Sequence, residues 1–249
     1  MNESFRIGFL SPIGTGGSVA AASPLEPSLE RAGARFEERD GWRVATSFRA
    51  APDELETIRV DAGIADRSAM GKLELQGTPD ALGSLLASVV PGGPPRPGET
   101  ADLDGALLWH SSPDRALALC GTAETGSLME LLESVCSESP HCGVVDLTAG
   151  LAAIEVRGPR ARDVLERVTA IDLRAGSLGI GGVRAGSVAE VPATLVRLTE
   201  DGFLILVGAQ EAPDAWEIVV DAGAPLRARP VGVDALLQLE TRDRAVAHA

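Results

Sequence analysis

The chain has 249 residues and a formal net charge of −14, with no local basic patch. That balance disfavours nucleic-acid phosphates and anionic membrane surfaces as partners. No stretch reaches the roughly 20 apolar residues needed to cross a bilayer. Residues 1–23 lack the basic start and continuous apolar run of a secretory signal, so a cytoplasmic protein is expected. Cys120, Cys136 and Cys142 are odd in number and irregularly spaced, which fits reduced thiols better than a disulfide framework.

Residues 1–27 are rich in Gly, Ser, Ala and Pro without a period, which predicts an extended or flexible arm. Pro52 to Gly63 then suits a helix, with Leu55, Ile58 and Ala62 on one face and Gly63 as its stop. Lys72 to Gln76 alternates as a strand. Gly77 turns the chain, and Thr78-Pro79 caps a helix whose apolar face is Leu82, Leu85, Leu86 and Val89. A hairpin follows, Ala106 to His110 and Ala116 to Cys120 around a Ser-Ser-Pro-Asp turn, and Leu128, Leu131, Leu132 and Val135 mark a helix.

The same grammar then returns. Ala153 to Arg157 is a strand, Gly158-Pro159 opens a helix, and Ala161, Val164, Leu165 and Val168 supply its buried face. Thr194 to Leu198 and Phe203 to Val207 form a second hairpin, and Trp216, Val219 and Val220 a second closing helix. Two β-α-β-β-α units result. Gly77 and Gly158 lie 81 positions apart, too far for a solenoid repeat. Two related α+β subdomains are therefore expected.

Several stretches carry a family resemblance. Phe36, Gly41-Trp42 and Phe48 stand in an opening of matching order. Gly63-Ile64-Ala65-Asp66-Arg67-Ser68-Ala69-Met70-Gly71-Lys72 resembles a Gly-hydrophobe-x-Asp-x-Ser-His-Met-Gly-Lys signature. Val145-Asp146-Leu147-Thr148 and Val156-Arg157-Gly158-Pro159 match the second half. The chain resembles the folate-binding fold of the glycine-cleavage T-protein, and its second half is also similar to the sarcosine oxidase gamma subunit. The resemblance runs over about residues 22 to 240. It implies an α+β fold of two related subdomains, with 28–55 plus 141–235 forming one, 56–140 the other, and 236–249 a tail. The C-terminal barrel of the full-length family is expected to be absent.

The resemblance also implies site residues. Asp104, in Leu103-Asp104-Gly105-Ala106, takes the place of the family's catalytic Asp, although Asp-Gly equally suits a turn before a strand. Met70 and Gly71, with Asp104, are the positions implied to face tetrahydrofolate. Leu204 falls where the family has a pterin-holding Glu, and an apolar side chain there leaves a buried pterin edge unpaired at roughly 1–3 kcal/mol per group. The resemblance therefore implies a protein of one-carbon or N-methyl amine metabolism. Its role is either an accessory subunit beside amine-oxidase-like partners or a tetrahydrofolate-dependent aminomethyl- or methyltransferase.

Other features carry less. Gly14 to Ser18 lacks the Gly-Lys-Ser/Thr ending of a phosphate loop. Cys136, His141 and Cys142 match no zinc spacing, so no metal is expected. His110 is expected to be a hydrogen-bonded structural histidine.

Overall fold

The computed structural model describes residues 20–139 and 141–247, with side chains described as far as Thr241. Most of the arm expected over 1–27, and the Gly14–Ser18 stretch, lie outside the described residues. The chain first forms a small sheet. Strand β1 (Ala21–Ala22) pairs in parallel with β3 (Trp42–Ser47), which pairs antiparallel with β2 (Arg35–Arg39). The Asp40-Gly41 turn has both residues at positive φ, as a two-residue hairpin requires. Helix α1 (Glu26–Arg31) precedes this hairpin, and α2 (Ala51–Val60) and β4 (Gly63–Asp66) follow it.

The first repeat comprises β5 (Gly71–Gly77), α3 (Pro79–Val89), β6 (Ala101–Leu103), β7 (Ala106–Ser112), β8 (Arg115–Cys120) and α4 (Thr125–Ser137), and β9 (Cys142–Asp146) closes it. The second comprises β10 (Leu151–Arg157), a short α5 (Ala161–Leu165), β11 (Val183–Val188), β12 (Val191–Thr199), β13 (Gly202–Gly208) and α6 (Ala212–Gly223). It is followed by β14 (Arg229–Pro230) and α7 (Val233–Ala247). The described part of the tail expected over 236–249 lies in α7. Its cue is an apolar face of Ala235, Leu236 and Leu239 at helical spacing.

These strands build a five-stranded sheet ordered β6-β7-β8-β5-β9 and a six-stranded sheet ordered β11-β12-β13-β10-β4-β14. Four layers follow from strand alternation. On β10, Ala152, Ile154 and Val156 face one core, which α1, α5 and α6 cover. Leu73 and Leu75 of β5 face a second core beneath α3 and α4. The opposite faces of the two sheets meet around Trp109, Leu117, Leu119, Leu204 and Leu206. Beyond that contact, α2 and α7 cover β4 through Leu55, Ile58, Ala65 and Leu236.

The repeats exchange strands. β4, which leads into the first repeat, pairs with β10 of the second, and β9, which leads into the second, pairs with β5 of the first. Each exchange is held by the same short network. The Asp66 carboxylate accepts from Ser68 N–H at 2.8 Å, and Asp146 accepts from Thr148 N–H at 2.8 Å. The Ser68 hydroxyl then accepts from Ala153 N–H at 3.1 Å, and the Thr148 hydroxyl from Lys72 N–H at 3.1 Å. The reciprocal bonds, Arg67 N–H to Ala153 O and Leu147 N–H to Lys72 O, are both 2.8 Å. Even the repeat glycines agree, because a Cβ on Gly77 would strike His141 O and one on Gly158 would strike Asp61 O, each at 2.7 Å.

Candidate functional site

Lys72 is the chain's only lysine and breaks this internal symmetry. It occupies the position taken by Ala153 in the second repeat, and its side chain is fully buried between the two crossings. Its ammonium donates to Ser68 O and Met70 O at 2.8 Å and to Thr148 O at 3.3 Å, so one side chain ties both crossings together. Burial pulls its pKa down to about 8, against the opposing pull of Asp66 and Asp146. Burial likewise raises the Asp66 carboxyl, although Ser23 and Ser68 hydrogen-bond to it.

The loop that Lys72 fixes forms one wall of a cavity of about 250 Å³. Asp66, Arg67, Ala69 and Met70 come from the first crossing, and Gly121 to Glu124 from the β8–α4 connection. The β2–β3 hairpin supplies Arg39, Asp40 and Trp42 to Val44, and α7 supplies Val233 and Leu237. Gly121 sits under the Glu124 carboxylate, which leaves no room for a Cβ. The second repeat copies this device with Gly208 and Glu211, and in both copies the Glu N–H donates to the Gly carbonyl at 3.2 Å.

Arg67 connects the cavity to a buried cluster. Its guanidinium lies 3.7 Å from Glu155 and 3.5 Å from Glu240 of α7, and Arg157 approaches Glu155 from the other side at 3.7 Å. Glu155 is 1 % exposed and is flanked by both arginines. Burial therefore raises its pKa, against the opposing pull of both arginines.

The positions implied by resemblance fall in different places. Met70 lines the cavity. Gly71 does not; a Cβ there would strike Thr125 Oγ1 and meet Cys120 Sγ at 2.6 Å, so the glycine serves close approach to the end of β8 and the start of α4. Asp104 is exposed, at positive φ, and forms with Gly105 the two-residue turn between β6 and β7. It does not line the cavity. Leu204 is fully buried in the layer between the sheets.

His110 differs from expectation. Its Nδ1 is buried without a hydrogen-bond partner, because the residue is held by strand pairing opposite Ala116 rather than by a polar neighbour. The described residues contain no cluster of three or more metal-ligating side chains. No described helix is long and apolar enough to cross a membrane. Cys120, Cys136 and Cys142 are free thiols.

Residues 101–248 match the GCVT N-terminal domain. An aminomethyltransferase of Saccharopolyspora erythraea is 30% identical over 229 residues, covering 85% of this chain and 60% of that protein. A probable aminomethyltransferase of Haloarcula marismortui is 31% identical over 217 residues, with 79% and 58% covered. The chain thus spans about 60% of the length of the curated relatives it matches.

Among solved structures, the glycine cleavage system aminomethyltransferase T of Bartonella henselae has a TM-score of 0.71 at 21% identity, covering 86% of this chain and 60% of its own. A chain of the heterotetrameric sarcosine oxidase of Corynebacterium sp. U-96 has a TM-score of 0.59 at 23% identity, covering 72% of this chain and 93% of its own. The α+β architecture and the T-protein resemblance are therefore borne out. The duplicated strand grammar, the exchanged strands and the matched domain together place this chain in the GCVT N-terminal domain family.

Proposed function

We propose that this T-protein-like protein of the folate-binding fold serves one-carbon or N-methyl amine metabolism as an accessory subunit and does not grip folate in the family's manner. The observation that carries this reading is Leu204. It stands where the resemblance implies the pterin-holding Glu, and it is fully buried against Trp109, Leu117 and Leu119 in the layer between the sheets. A hydrocarbon side chain offers no acceptor for the pterin N–H groups, and opening this layer costs roughly 2–3 kcal/mol for re-exposing one leucine. The residues present do not fit tetrahydrofolate at that place. The match along 93% of one sarcosine oxidase chain supports a subunit role beside amine-oxidase-like partners. Calorimetry with tetrahydrofolate tests the reading: no heat of binding is expected up to high micromolar concentration, and micromolar affinity overturns it.

The second reading is a tetrahydrofolate-dependent aminomethyl- or methyltransferase. The curated aminomethyltransferases among its relatives and the Asp66-to-Lys72 signature favour it. Asp104 then assists transfer, and folate is held beside Met70 rather than through residue 204. On this reading Asp104→Asn abolishes turnover while leaving the fold intact, and unchanged turnover removes it.

A further inference from the structure

The cavity beside Met70 has a charge pattern that the reading above does not use. Three arginines stand in its wall, yet each is committed elsewhere. Arg39 bonds to Asp234 at 2.5 Å and to Glu37 at 2.7 Å. Arg43 is held by Glu26 and Glu30. Arg67 lies between Glu155 and Glu240. Counting Arg157, which shares Glu155, four guanidinium groups thus face six carboxylates before any carboxylate lining the cavity is considered.

Asp40, Asp66 and Glu124 do line it, and none forms a salt bridge with a cation among the described residues. The nearby Lys72 ammonium is turned to three backbone carbonyls behind Met70. Asp40 and Glu124 are exposed and Asp66 is buried, so the acidic lining favours a positive charge over a negative one. The remaining lining is apolar. Trp42 offers an aromatic face, and Val44, Met70, Val233 and Leu237 offer aliphatic and thioether surface.

We propose that this cavity is a binding site for a small organic monocation, an ammonium group joined to an apolar or aromatic body. The ammonium faces Asp66 and Glu124, and the body rests against Trp42 and Met70. The volume of about 250 Å³ limits the ligand to a compact molecule rather than a dinucleotide or an extended cofactor. The proposal rests on the cavity alone and is independent of whether the chain binds folate.

Three isosteric probes test it: benzylamine as a cation, benzyl alcohol as a neutral mate and benzoate as an anion. Calorimetry gives the affinity. Tryptophan fluorescence gives the location, since Trp109 and Trp216 are each only 2 % exposed and Trp42 is the indole in the cavity wall. Benzylamine is expected to bind at least tenfold more tightly than either mate. Glu124→Gln should weaken the amine at least threefold while leaving benzyl alcohol unchanged, and Ala69→Trp, which fills the cavity, should abolish both signals. The proposal is overturned if benzoate binds as tightly as the amine, if no amine binding is detected at 10-millimolar concentration on the order expected for weak fragments, or if Ala69→Trp leaves binding intact. Circular dichroism on both variants separates loss of the site from loss of the fold.

Discussion

The two strand crossings share a backbone network and differ in chemistry. Asp66-Arg67-Ser68 and Asp146-Leu147-Thr148 make the same hydrogen bonds at the same distances. At the next equivalent position, however, the first carries buried Lys72 and the second carries Ala153 in the apolar layer between the sheets. A single cation serves both crossings because they are adjacent in space. Duplication supplied the frame, and divergence at one register position decided which crossing borders a polar cavity and which borders a dry interface.

The largest effect is expected on removing the shared cation. Lys72→Met leaves three buried carbonyls without that donor and should destabilise the protein by about 2–4 kcal/mol in denaturant titration, part of the loss being offset because the burial penalty of the charge also disappears. A change below about 1 kcal/mol would mean that the crossings hold without it.

The same lysine predicts the next effect. Its folded pKa, about 8, lies below its ordinary 10.5, so the unfolded chain binds more protons across that window and stability rises with pH through it. The gain is at most on the order of 3 kcal/mol. Denaturant midpoints measured from pH 7 to 10.5 should show this rise relative to Lys72→Met. Burial raises the Cys120 thiol and works in the opposite sense above its ordinary pKa of 9.0; because the Lys72 charge pulls that thiol down, the opposing contribution is larger in Lys72→Met and adds to the difference between the two proteins.

Smaller effects test whether the crossings are equivalent. Ser68→Ala and Thr148→Val each remove the acceptor of one buried N–H and should cost about 1–2 kcal/mol, Ser68→Ala the more of the two because its side chain also bonds Asp66. A larger loss for Thr148→Val in urea midpoints would show that the second crossing dominates. The smallest effect is at acid pH. Burial raises the Asp66 carboxyl above its ordinary value, so wild type should gain stability relative to Asp66→Asn as pH falls through the folded pKa toward 3.8. Parallel acid profiles for the two proteins would contradict that.

Much of the fold was legible. The strands at 72–76 and 153–157, both hairpins and the helices after Thr78 and before Cys136 recur close to their expected bounds, because each carries a local signal of alternation, turn chemistry or helical period. Short strands were harder to see. β4 and β9 are four and five residues long and owe their pairing to strands far away in sequence. The Asp-x-Ser/Thr motif that ends both was present as a signal, but its meaning depends on partners 76 and 85 positions distant. The cavity was less legible still. Met70 was anticipated, whereas Trp42, Glu124 and Leu237 come from segments with no pattern linking them.

The sequence by itself determined the duplication, the fold class, the Asp-Gly turns and the replacement of a polar family position by Leu204, all properties of nearest neighbours or of residue type. Tertiary structure alone decided that the strands are exchanged, that Asp104 lies away from the cavity, and that the wall arginines are already paired while Asp40, Asp66 and Glu124 are not. The physical reason is that burial and charge compensation depend on groups brought together by sheet packing. Lys72 shows the division clearly: the sequence marks it as the only lysine, but only the meeting of two crossings explains why its ammonium is buried there.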